Sequence, residues 1–158
     1  MAVPYAEKMA KSQKEISISD FFAKNRQILG FDNPSKALLV SVKEAVDNSL
    51  DACEEAGILP TVFVKLEKVN DKDRYIMTVR DNGPGIVKKQ IPNVFGRLLY
   101  GSRFHAIRQS RGQQGIGISS VVLYSQLTTG KAARITSRIG EDHPCHQIEV
   151  HINSKINR

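Results

Sequence analysis

Apolar positions along the chain change period several times, and each change marks an element. Residues 1–19 are polar with few large apolar groups and read as an amino-terminal arm before a domain of residues 20–158. Ser19-Asp20 precedes a helical run over Phe21–Leu29, which Gly30 stops. Asn33-Pro34 opens a second helix, because proline suits the first helical position and Asn33 or Asp32 can cap it. That helix runs to about Ala56, and Gly57 ends it. Leu38, Val42, Ala45, Val46 and Cys53 recur on it at helical spacing and predict one buried stripe.

The period then falls to two. Val62, Val64 and Leu66 alternate with Phe63, Lys65 and Glu67, and Tyr75, Met77 and Val79 alternate with Ile76 and Thr78. Asn70–Asp73 between them is turn chemistry, so the pair reads as an antiparallel hairpin. Asp81-Asn82-Gly83-Pro84-Gly85 cannot continue a strand and must form a tight loop. A short helix follows near Ile91–Leu99, and Tyr100–Gln113 is irregular, as a lid would be. A further helix covers about Gln114–Leu127, with Ile118, Val121, Val122 and Leu127 toward the core. Two last strands, Ala133–Ile139 and Cys145–Ile152, flank the turn Gly140–Pro144. The sum is an α+β two-layer sandwich, a mostly antiparallel sheet with helices on one face.

Composition narrows the class. The 158 residues suffice for one domain with a proper core. No apolar run approaches the roughly 20 residues of a membrane helix, and Met1–Ile18 has no signal-peptide apolar region. Cys53 and Cys145 form no CxxC pair and suit a reducing cytoplasm. Net charge is +7, unevenly placed: from Asn82 to Gly140 there is no Asp or Glu but nine Lys and Arg. Asp32–Asp81 holds ten of the sixteen acids. A long basic segment implies an anionic partner, nucleic acid or the phosphates of a nucleotide; a solvated surface paired from elsewhere in the fold is the plainer alternative.

The chemistry concentrates in three places. Glu44, Asn48, Asp51 and Glu55 share one face of the long helix, with Asp47 beside them. Such clustered negative charge calls for a cation. Mg²⁺ takes oxygen ligands, few of them from protein, and Asn48 can offer one. Glu44, one turn earlier, can take a proton from a water aimed at a phosphate. Asp81 closes a strand, where a partly buried carboxylate needs a donor such as the amino group of adenine. Gly83 and Gly85 let backbone approach a flat ring. The third place, Gly112-Gln113-Gln114-Gly115-Ile116-Gly117, leads into a helix N-terminus, whose free N–H groups and positive dipole end favour a phosphate. It lies in the acid-free basic stretch, behind Ser102-Arg103 and Arg111.

Taken in order, an acidic helix with Asn, DNGxG after a strand and a glycine lid before a helix resemble the nucleotide-binding fold shared by gyrase, the chaperone Hsp90, histidine kinases and the mismatch-repair MutL proteins. The resemblance is nearer still to the B-subunit family of archaeal-type DNA topoisomerase VI. It rests on KEAVDNSLDACEEAGILP (Lys43–Pro60), RDNGPGI (Arg80–Ile86), VFGRLLYGSRFH (Val94–His105) and SRGQQGIGIS (Ser110–Ser119), with FFAKNRQILGFDNP (Phe21–Pro34) in support. It covers nearly all of residues 15–140.

By position, the resemblance implies Glu44 as general base, Asn48 as Mg²⁺ ligand and Asp81 as the carboxylate that reads adenine. Gly85, Ser102, Arg103 and the loop Gly112, Gln113, Gln114, Gly115, Ile116, Gly117, Ile118 and Ser119 correspond to the rest of the ATP site and its lid. It also implies two B subunits that close over ATP as a gate for one DNA duplex. A separate A subunit, with a nucleophilic tyrosine, cuts the other duplex in a heterotetramer of two A and two B subunits. The chain stops at Arg158, where the family continues with more of the ATPase sheet, a helical insert and a transducer domain that supplies a lysine to the terminal phosphate. The domain is therefore expected to be incomplete and turnover by this chain alone very slow.

Three rivals have sequence support. One is another ATPase of the same superfamily, of chaperone or mismatch-repair type, against which the RGQQGIGIS and FGRLLYGS segments argue. Another is a non-enzymatic basic nucleic-acid module, weakened by the few aromatics near the basic stretch. The third is a metal site at His143, Cys145, His146 and His151, whose spacing fits no zinc pattern and which polar strand faces explain.

Overall fold

The computed structural model describes residues 17–69, 73–98 and 117–153. Helix α1, Ile18–Leu29, starts before the expected Phe21 because Ser17, not Ser19, caps it: the Ser17 hydroxyl accepts from the Asp20 N–H at 3.1 Å. Ile18 and Ser19, expected in the arm, thus belong to α1. Gly30 ends the helix at φ 84°, a left-handed conformation that glycine adopts without penalty. Helix α2, Pro34–Glu55, has Asn33 as its N-cap, accepting from the Lys36 N–H at 3.2 Å, which settles the choice between Asn33 and Asp32.

Strands β1 (Val62–Lys68) and β2 (Tyr75–Asp81) pair antiparallel with Val64 opposite Val79 and Leu66 opposite Met77. A 3₁₀ turn, Lys88–Gln90, leads into the short helix α3, Ile91–Gly96. Helix α4, Gly117–Thr129, precedes β3 (Ala133–Ser137) and β4 (His146–Val150), a second antiparallel pair. The architecture is the expected α+β arrangement, with the strands joined by hydrogen bonds as two hairpins among the described residues.

The core explains how α2 is held. Phe22, Phe31, Ala37, Ile91, Val121, Val122, Leu123, Val150 and Ile152 form one buried cluster. Phe31 stacks on Tyr124 at 4.9 Å between centroids and meets Phe22 at 5.5 Å, joining α1 to α4. The Gln126 amide clamps the chain beyond β4, donating to the Ile152 carbonyl at 2.9 Å and accepting its N–H at 2.8 Å.

Two burial expectations need correction. Leu127 is 51% exposed, since the last turn of α4 runs past the core; Ser119, Ser120 and Leu123 are buried instead. On α2 the stripe is not single. Of its expected members only Cys53 is fully buried, and the others are half-buried. Ala37, Ser41, Ser49 and Asp51 are buried too, because α2 packs on α4 and also on β2 and β1. Small side chains let both neighbours approach, and buried Ser41 satisfies its hydroxyl on the Ala37 carbonyl at 2.7 Å.

Candidate functional site

Two of the three sequence motifs meet α2, one at Glu44 and one at Ser49. At the α4 end, a Cβ on Gly117 would fall on the Glu44 carboxylate, so the missing side chain admits Glu44 to the first turn of that helix. Glu44 is half-buried. Burial raises its proton affinity above the ordinary carboxylate value, Lys43 opposes the rise, and Asp47 adds to it. Asp47 is itself paired with Lys43 at 2.7 Å, Asp51 is buried, and Glu54 and Glu55 are exposed. The acidic stripe thus splits into groups with separate environments, and Glu44 is the carboxylate that meets the helix N-terminus. Asn48 lies half-buried one turn further along α2.

At the β2 end, Asp81 is held through both carboxylate oxygens. The Ser49 hydroxyl donates to Oδ2 at 2.6 Å and the Gly83 N–H donates to Oδ1 at 2.9 Å. The next side chain, Asn82, fastens the loop to the segment before β1. Its Nδ2 donates to the Leu59 carbonyl at 3.0 Å, and its Oδ1 accepts the Thr61 N–H at 2.8 Å and the Cys53 thiol at 3.6 Å. Burial, with the Asp81 charge nearby, pushes the Cys53 thiol up, which suits an inert core residue.

Gly85 sits at φ 75°, and a Cβ there would overlap the Arg138 carbonyl. Beside it the Ser137 hydroxyl takes the Ile86 N–H at 2.8 Å and donates to the Ile86 carbonyl at 3.2 Å. The role expected of Gly83 and Gly85, access for a flat ring, therefore needs revision. The space each leaves is filled by protein: Asp81 and Cys53 at Gly83, and the end of β3 at Gly85. Their smallness shapes the loop.

Ser102, Arg103, Gly112, Gln113, Gln114, Gly115 and Ile116, and the expected lid with them, lie outside the described residues. Ile118 packs against the core and the Ser119 side chain is wholly buried, so any part they take in holding an anion falls to their main-chain N–H groups. Ser49, Asn82 and Ser137 escaped the sequence reading. Their only signal is position next to motif residues, since serine and asparagine are common in helices and turns. A shallow hollow of about 440 Å³ is lined by Leu50, Glu54, Gly57, Ile58, Leu59 and Pro60, none of them an expected site residue.

The donors present suit a hard divalent cation bound with phosphate. Asn48 offers an amide oxygen, and one or two protein ligands are what Mg²⁺ usually takes in such sites. A carboxylate at a glycine-opened helix start and a doubly held aspartate at a strand end are the described parts of the expected nucleotide site.

Residues 34–154 match the family described as histidine kinase-, DNA gyrase B- and HSP90-like ATPases, and the chain belongs to that family. Within it, the chain is 61% identical over 157 residues to the B subunit of type 2 DNA topoisomerase 6 from Methanococcoides burtonii, covering 99% of this chain and 25% of the relative. It is 58% identical over 149 residues to the same-named protein of Archaeoglobus fulgidus (94% and 24% covered). For Natronomonas pharaonis the identity is 60% over 154 residues (98% and 19%). The chain thus spans a quarter or less of the length of these curated relatives. Among the described residues no helix is long and apolar enough to cross a membrane.

Proposed function

We propose that residues 18–158 form the ATP-binding part of the B subunit of a type 2 DNA topoisomerase. The observation that carries this is the contact of Glu44 with Gly117, residues far apart in sequence, which joins the acidic helix to the glycine-led helix. In the proposal Asp81 contacts the purine and the α4 N-terminus contacts the phosphates, a role shared with Ser102, Arg103 and the glycine loop. Mg²⁺, held by Asn48, would neutralise phosphate charge.

Glu44 is suited to general-base work, because a carboxylate whose proton affinity burial has raised removes a water proton more readily at neutral pH. In the whole protein, ATP binding would draw two B subunits together. That closure would gate one DNA duplex through a break made by the A subunit and so relax supercoils. A lysine from a downstream region would complete charge stabilisation at the terminal phosphate. Hydrolysis should therefore be very slow in this chain and rise when it is continued with the downstream region of the Methanococcoides burtonii relative. No rise would contradict the assignment.

The direct test is titration with a non-hydrolysable ATP analogue. Asn48→Ala and Asp81→Ala should each weaken binding by about 1.5–3 kcal/mol, the worth of a hydrogen bond to a charged group. Asp81→Ala should also erase preference for adenine over guanine. Equal binding by all three proteins would defeat the reading. Salt-sensitive DNA binding that ignores Glu44 and Asn48 would favour the basic nucleic-acid module instead.

A further inference from the structure

Lys43 stands between two carboxylates on α2. Its ammonium donates a hydrogen bond to Asp47 Oδ2 at 2.7 Å and lies 4.0 Å from Glu44 Oε1, beyond hydrogen-bond reach. Among the described residues it is the one cation that approaches Glu44 this closely, and α4, whose first turn meets that carboxylate, has no charged side chain. The lysine side chain is 60% exposed, whereas those of Glu44 and Asp47 are 23% and 17% exposed. The mobile partner is therefore the ammonium, and which carboxylate it joins decides the state of the other. Burial is the main reason Glu44 holds a proton more tightly than usual; Lys43 works against it and Asp47 with it. Helix stability explains the Lys43–Asp47 pair poorly. A lysine four residues before an acid is the weaker order for a helical ion pair, and a pair with an exposed partner contributes little.

We infer that Asp47 is a positioning residue for the reaction: it keeps the Lys43 ammonium to itself and so leaves the Glu44 carboxylate able to take a proton from water. Without that hold the ammonium would move onto Glu44. A carboxylate engaged in a charge-assisted hydrogen bond is a poorer base, because its charge and lone pairs are already committed. The inference rests on the proposed role of Glu44 as general base and names the residue that keeps it available. An acid that merely steadies the helix would be the ordinary explanation, and the two differ in what happens when the lysine is removed as well.

The test measures ATP hydrolysis and affinity for a non-hydrolysable analogue in the chain continued with the downstream region of the Methanococcoides burtonii relative. Wild type is compared with Glu44→Gln, with Asp47→Asn, which keeps the shape of the side chain, and with the double variant Lys43→Gln/Asp47→Asn. Thermal unfolding verifies that each protein is folded. Asp47→Asn should lower kcat roughly tenfold, the size of one hydrogen bond to a charged group, with KM and analogue affinity unchanged. Removing the lysine as well should restore most of that loss, since the ammonium that captures Glu44 is then gone. An acid that served only the helix, or the neighbouring Asn48, would show no such recovery. A wild-type kcat in Asp47→Asn, a loss carried by KM, or a double variant as slow as the single one would overturn the inference. If Glu44→Gln is slow while the Asp47 variants fail in any of these ways, only the role of Asp47 falls. If Glu44→Gln hydrolyses at the wild-type rate, Glu44 is not the base and this inference falls with that assignment.

Discussion

Two contact points near the middle of α2, Ser49 and Glu44, are built on opposite principles. Around Asp81 the structure is made by donors and acceptors: Ser49, Gly83, Asn82 and Ser137 tie the loop to α2, to the approach of β1 and to β3. Around Glu44 it is made by emptiness, since Gly117 has no side chain where the carboxylate must lie. The first is held by hydrogen bonds that a displacement would break. The second is adjustable because the neighbour is the far end of a flexible side chain, kept there by packing of α2 on α4. On the proposed reading, the first would read the base and the second would serve the reaction.

The largest effect should come from the adjustable end. In the chain continued with the downstream region, Glu44→Gln should lower ATP hydrolysis by about 10²–10⁴-fold, the usual contribution of a positioned base, while analogue binding persists. Hydrolysis at the wild-type rate in a steady-state assay would remove Glu44 from the chemistry.

Next in size is a contrast between the two glycines. Gly85→Ala puts a methyl into the Arg138 carbonyl at a left-handed φ, so it should cost about 3 kcal/mol of stability in denaturant unfolding. Gly117→Ala meets only the Glu44 carboxylate, which can swing aside. Its stability loss should be under about 1 kcal/mol, smaller than its loss of hydrolysis. Equal stability losses for the two variants would erase the distinction drawn between the ends.

Asn82→Ala comes third. It removes three side-chain hydrogen bonds, but the Leu59–Thr61 groups it leaves can reach water, so unfolding should show a loss of only about 1–2 kcal/mol.

The smallest effect is a pH dependence. Because burial raises the proton affinity of Glu44 in the folded state, its contribution is fully present below the ordinary carboxylate value near 4.5. It is lost as pH climbs through the raised value. Glu44→Gln should therefore melt slightly higher than wild type at neutral pH, with the gap closing in acid. A constant gap across that range would mean that the charge of Glu44 carries no penalty.

Much of this was legible from local chemistry. Asn33-Pro34, Gly30 and the alternation in β1 and β2 mark their elements because capping, chirality and pleat act over a few residues. The candidate site was legible through its motifs, Glu44, Asn48 and Asp81 standing in runs of distinctive composition. Leu127 was misjudged because helical spacing gives a face but not the length of the neighbour that covers it. The α2 stripe was misjudged because two neighbours, not one, bury that helix.

What the chain determined alone was the kind of chemistry available and the elements that carry it, since side-chain identity and backbone preference are local. That Ser49 grips Asp81, that Asn82 spans to Leu59 and Thr61, and that Gly85 and Gly117 are empty for the sake of Arg138 and Glu44 was decided only by the tertiary structure. Those contacts join residues far apart along the chain, and which of two identical hydroxyls or glycines finds a partner depends on how whole elements pack. No periodicity in the sequence encodes that choice.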